Sequence, residues 1–167
     1  MPVLEILTYP DPRLKQESEV VTDFGDEFQH FVDSLEATRQ AGPGAVGIAA
    51  PQVGYFKRVV IVDVSNTRKP VPNHGYMILV NPEITKWHEF EMAREGCLSV
   101  PDFTGNVLRA SRIHLKAQDR YGNPVEYDME GFEARAVQHE IDHLDGLVFL
   151  DRVVSRKTDI FRRKTYQ

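Results

Sequence analysis

The sequence predicts an α+β fold: antiparallel strands packed around one central helix late in the chain, an N-terminal helix before them and a short C-terminal helix after them. Three observations predict it. An amphipathic helical pattern opens the chain, β-branched and alternating runs of strand length fill its middle, and a second helical pattern follows the runs instead of alternating with them. That order favours α+β over repeated strand–helix–strand units.

Taken in order, "TDFGDEFQHFVDSLEATRQA" carries Phe28, Phe31, Val32 and Leu35 at helical spacing behind a Thr22/Asp23 capping signal, and "GPG" at 42–44 ends it. "KRVVIVDV" (57–64) reads as a strand, with the loop "SNTRKPVPNHG" behind it. "YMILVNPEI" and "KWHEFEMARE" read as a strand pair. "NVLRASRIHLKAQDRYGNPVEYDMEG" holds two further runs joined by a hairpin signal at "RYGNP". A helix then runs between Gly131 and Gly146, and "LVFLD" reads as a strand ending at Asp151.

At 167 residues, 41% hydrophobic and 27% charged, the chain has the length and composition of one globular domain over 1–167. A net charge of −5 argues against broad nucleic-acid binding, DNA included, while allowing a local basic patch. With one cysteine no internal disulfide forms, so a reducing compartment is expected. The N-terminus lacks a signal-peptide pattern, and no run approaches the roughly 18 apolar residues of a membrane span. A cytoplasmic protein with no membrane partner is the expectation.

The chemistry concentrates in "QHEIDHLDG" (138–146). On a helix turning about 100° per residue, Ala134, Val137, Ile141 and Leu144 form one apolar stripe, while His139 and His143 lie nearly opposite with Phe132 and Ala136. Two imidazoles one turn apart can share a divalent ion, and Glu140 between them can move a proton beside it without ligating it. A catalytic site of this kind needs a third ligand. Asp145 lies too close along the helix, Asp151 is possible, and Cys97 in "REGCLSVP" is the better candidate because a thiolate beside a dication is stabilised there. Taken alone, Cys97 is a small buried hydrophobe and "GAVGIAAPQVG" (44–54) a tight turn before a strand. Glu95 is expected to be structural, pairing with Arg94, Arg109 or Arg135.

Together "AVGIAAPQ", "EGCLS" and "QHEIDH", in this order and spacing, closely resemble the three signature motifs of peptide deformylase across essentially the whole chain. The resemblance implies that Cys97, His139 and His143 bind one divalent ion, ferrous iron first, with zinc, nickel or cobalt as substitutes. It implies that Glu140 is the general base and acid, and that Gln52 and the Leu98 N–H face the developing oxyanion. Gly47 would supply backbone contact to the substrate. The implied reaction removes the N-formyl group of N-formylmethionyl nascent peptides and releases formate. Val46, Phe132 and Ala136 would then wall an apolar slot for the methionine side chain, with Arg135 at its border. A metallopeptidase cutting internal bonds would instead carry a third Glu or His ligand. The chain departs from the family pattern at Ala45, often Gly, and at Thr104, where some members place a substrate-anchoring Arg; its C-terminal extension is also short. From Arg152 onward that tail holds Arg152, Arg156, Lys157, Arg162, Arg163 and Lys164 against only Asp159. It reads as a solvated helix end or, by resemblance, as a ribosome contact.

Overall fold

Four consecutive β-branched residues, Val59–Val62, are buried at every position, and that burial organises the molecule. A strand turns alternate side chains to opposite faces, so this one needs cover on both. In the computed structural model, which describes residues 3–42, 45–67, 69–153, 155 and 158–162, one helix covers each face. The strands are β1 (Gly47–Ala49), β2 (Val59–Val62), β3 (Met77–Cys97), β4 (Val100–Gln118), β5 (Pro124–Glu130) and β6 (Ile160–Arg162), and the helices α1 (Asp26–Ala41) and α2 (Gly131–Leu144). Val59 and Ile61 cluster with Phe28, Val32 and Leu35 of α1. Val60 and Val62 cluster with Ala134, Val137, Ile141 and Leu144 of α2.

The sheet is antiparallel throughout in the order β1-β2-β3-β4-β5, with β6 paired to β4. The expected α+β arrangement of antiparallel strands around a late helix is therefore what forms. The β4–β5 hairpin turns at "RYGNP" as expected, because Asp119 Oδ1 accepts from the Tyr121 and Asn123 N–H groups and Gly122 takes φ 88°. The expected bounds of α2 also hold. Gly131 and Gly146 both adopt positive φ, and a Cβ on Gly146 would run into the Lys15 carbonyl. No helix among the described residues is long and apolar enough to cross a membrane.

Four local expectations are corrected. α1 begins at Asp26, not behind Thr22/Asp23, because Asp23 Oδ1 accepts from the Gly25 N–H and forms a turn ahead of the helix. Its C-cap is Gly42, while the remainder of the "GPG" signal lies outside the described residues. The runs 76–84 and 86–95 do not pair with each other. They are one strand, β3, that slips register between Ile84 and Lys86 and pairs with β4 from Val80 to Cys97. A bulge at Thr85 breaks the alternation without turning the chain, and in sequence that break looks like a strand end. "LVFLD" contains a 3-10 turn, Phe149–Asp151, whose Asp151 carboxylate accepts from the Val148 N–H. The short C-terminal helix expected after the strands is not found among the described residues, and 163–167 lie outside them. Residues 160–162 are the strand β6, pairing with Phe103–Gly105 along an edge of β4 that β5 leaves uncovered. Gly105 allows the approach, since a Cβ there would lie 2.9 Å from the Val153 side chain and 3.2 Å from the Asp159 carbonyl.

A third apolar cluster, with Leu7, Leu14, Val100, Val107, Phe149 and Leu150, lies by the β3–β4 turn. The N-terminal segment straps this region to the rest: the Leu7 N–H donates to the Gln52 carbonyl and the Tyr9 N–H to the Ser99 carbonyl. Gln52 and Cys97, 45 residues apart in sequence, are thereby held at one place.

Candidate active site

α2 buries its apolar stripe in the sheet and turns its other side to the end of β3. Cys97, the last residue of β3, reaches His143 across that gap, with Sγ 3.3 Å from Nε2. One ligand atom each from Cys97, His139 and His143 lies within 4.8 Å of the others. Bonds of about 2.0–2.3 Å to one central ion close such a triangle, so the three residues fit a metal. Neither aspartate competes for the third position. Asp145 pairs with Arg58 at 2.9 Å, and Asp151 caps the 3-10 turn.

The ligands are oriented by charges around them. Glu95 Oε1 lies 2.8 Å from His139 Nδ1, and the same carboxylate takes two bonds from Arg109 and one from Arg135 at 2.7–2.9 Å. Burial pushes Glu95 up, but hydrogen bonds from His139 and Arg109 hold it down at about 2. As a carboxylate it must accept from Nδ1, which leaves His139 Nε2 for an ion. Burial lowers His139 as well, yet its hydrogen bonds to Cys97 and Glu95 outweigh that and raise it well above the ordinary imidazole value. Burial and the neighbouring His139 hold His143 well below it, in the neutral form that ligates metals. Arg109 also pairs with Asp142, which takes two bonds from Arg152. The structural role expected of Glu95 is present through Arg109 and Arg135. Its hold on His139 is legible only in three dimensions, and Arg94 turns elsewhere, onto Phe161.

Glu140 is treated oppositely. It is 4% exposed, and Oε1 has no hydrogen-bond partner although it lies 3.9 Å from His143 Nε2. Burial raises its pKa to about 7, against the pull of His139 and Arg109. Its other oxygen packs on Gly47, where an added Cβ would sit 2.7 Å from Oε2. Gln52 is buried, with Oε1 accepting from the Ala49 N–H and Nε2 donating to Ser99 Oγ at 3.0 Å and towards Cys97 Sγ at 3.4 Å. The Leu98 N–H donates to no group among the described residues. "GAVGIAAPQVG" is thus more than a turn. It supplies β1 and a 3-10 turn that aims Gln52 at the cysteine.

Gly47, Glu95, Cys97, Leu98, His139 and Glu140 border a cleft of about 260 Å³, while Gln52 and His143 lie behind its lining. Val46, Phe132, Ala136 and Arg135 all line it. Phe132 is 41% exposed, so it stands at the mouth, while Ala136 lies within. Thr104 is the register partner of Phe161 on β6. A sequence model of the family described as polypeptide deformylase matches residues 3–159. The chain belongs to the polypeptide deformylase family. A peptide deformylase of Thermodesulfovibrio yellowstonii is 40% identical over 164 residues, covering 98% of this chain and 97% of that protein. Among solved deformylase structures, one from Ehrlichia chaffeensis in complex with actinonin superposes with a TM-score of 0.86 at 36% identity, covering 94% of this chain and 92% of that one. A Met-Ala-Ser-bound deformylase from Acinetobacter baumannii gives a TM-score of 0.84 at 36% identity over 91% of this chain and 100% of that one. Deformylases are metalloenzymes, and Cys97, His139 and His143 are a possible metal site in this one.

Proposed function

We propose that the chain, acting as one catalytic domain over 1–167, hydrolyses the N-formyl group of N-formylmethionyl nascent peptides and releases formate. The observation that carries the reading is the Cys97–His139–His143 triangle with the unpartnered, buried carboxylate of Glu140 beside it. Cys97, His139 and His143 would hold the ion, ferrous iron first, with zinc, nickel or cobalt as alternatives for a site of one thiolate and two imidazoles. A dication held by them would supply water acidified towards neutral pH. Glu140, whose buried Oε1 has no hydrogen-bond partner, is placed to accept a proton from water and return it to the departing amine. The Leu98 N–H, without an acceptor among the described residues, would face the formyl oxygen as it gains charge, and the Gln52 amide would join it by turning from Cys97 Sγ, each such donor contributing about 2.7–4 kcal/mol. Gly47 keeps the backbone close to Glu140 and exposes it to the peptide, while Val46, Phe132 and Ala136 take the methionine side chain.

A reducing cytoplasm suits a site whose function needs Cys97 as a thiolate. Ribosome contact through the basic tail belongs to the same proposal. Of its cations, Arg152 is committed to Asp142, and Arg156, Lys157, Arg163 and Lys164 lie outside the described residues. Removing residues 156–167 should then weaken ribosome co-sedimentation at low salt, and no change would dismiss the contact. The activity is tested by incubating anaerobically purified protein with formyl-Met-Ala and measuring formate. Metal-dependent formate release, lost with the ion in Cys97→Ala, is expected. Peptide fragments without formate would point to a metallopeptidase.

A further inference from the structure

Arg94 is the one cation lining the cleft that has no acidic partner among the described residues, since Arg135 and His139 both share Glu95. It is exposed at the rim, and its guanidinium carbon sits 3.7 Å from the centre of the Phe161 ring on β6. Stacking of this kind fixes the position of a cation without neutralising it. A fixed, unneutralised charge on a binding cleft acts on whatever enters.

The strand geometry says which part of an occupant it meets. Successive side chains of β3 point to opposite faces. Glu95 is turned towards α2, where it holds His139 and Arg135, so Arg94 faces the other way. Near the cleft, β3 pairs only with β4, and β1 pairs only with β2, among the described residues. Each keeps an open edge on which an extended peptide can lie. Such a peptide also alternates. If its first side chain enters the slot of Val46, Phe132 and Ala136 on the α2 side, its second points to the side of Arg94.

Resting on the deformylase reading, we propose that Arg94, steadied by Phe161, makes this enzyme select formylated peptides with an aspartate or glutamate directly after the formyl-methionine. The residue contributes specificity and takes no part in the hydrolysis. Exposed ion pairs of this type correspond to about a 1.5- to 5-fold preference, and repulsion of a cation widens the contrast.

The test compares kcat/KM of the metal-loaded full chain for three amide-capped peptides: formyl-Met-Glu-Ala, formyl-Met-Gln-Ala and formyl-Met-Lys-Ala. The wild type should rank them Glu, Gln, Lys, with the spread shrinking at about 0.5 M salt. Arg94→Lys should keep the order, Arg94→Ala should flatten it, Arg94→Glu should reverse it, and Phe161→Leu should narrow it. A merely structural role for Arg94 would lower all three rates together and leave their ratios fixed. Ratios unchanged in Arg94→Glu, or equal rates in the wild type, would overturn the proposal while leaving deformylation intact. Absence of formate from all three peptides would instead overturn the deformylase reading beneath it.

Discussion

Two buried glutamates, one on the last turn-ward stretch of β3 and one on α2, meet opposite surroundings in neighbouring parts of the site. Burial pushes both towards the protonated form. Around Glu95, hydrogen bonds and charge from His139 and Arg109 reverse that push and hold it at about 2. Around Glu140, one oxygen has no partner and burial prevails, at about 7. Hydrogen-bond satisfaction, rather than depth, separates a carboxylate that holds the site together from one poised to exchange protons. A chain that had satisfied Glu140 as fully as Glu95 would gain rigidity and lose its base.

The contrast breaks most visibly at Glu140. Replacing it by Gln should lower kcat by roughly 10²–10⁴-fold, the range typical of general acid–base catalysis, while leaving bound metal and thermal stability near wild type. Formate-release kinetics and metal analysis check this together, and near-wild-type turnover would remove the assigned role. Glu95→Gln should do the reverse in kind. With Arg109 and Arg135 left without their shared carboxylate, unfolding free energy should fall by about 3–5 kcal/mol in a denaturant titration.

Acid sharpens the same comparison. The folded pKa of Glu95, about 2, lies below the ordinary 4.5, so its stabilisation is complete above about pH 4.5 and is lost as pH falls towards 2. The stability gap between wild type and Glu95→Gln should therefore be constant near neutrality and close across that window. A gap that persists at pH 2.5 would mean that shape rather than charge holds the network. The smallest effect is expected at its outer end. The Arg152 side chain is 48% exposed, so Arg152→Ala should cost no more than about 1 kcal/mol despite its two bonds to Asp142.

Much of this site is legible in the sequence. His139, Glu140 and His143 follow from helical spacing, and the opposite stripe of Ala134, Val137, Ile141 and Leu144 places them against a packed core. Cys97 follows from ligand chemistry rather than spacing, and Gln52 is assignable only when the three motifs are taken together, because neither carries a periodic signal of its own. Missed altogether were the hold of Glu95 on His139, the Arg109–Asp142–Arg152 extension and the seat of Arg94 on Phe161. Each joins residues 10 to 67 positions apart, across elements whose relative placement no local pattern encodes.

The sequence by itself determined the two helices α1 and α2, which positions on α2 face the core and which side chains can ligate a metal, since periodicity and ligand chemistry are local properties. The tertiary structure decided the continuity of β3 through its bulge and the pairing of residues 160–162 as β6, because the uncovered edge of β4 accepts an extended segment. It also decided the different states of Glu95 and Glu140. Those depend on which groups arrive from other elements to satisfy a buried charge, and a carboxylate's own neighbours in sequence do not specify them.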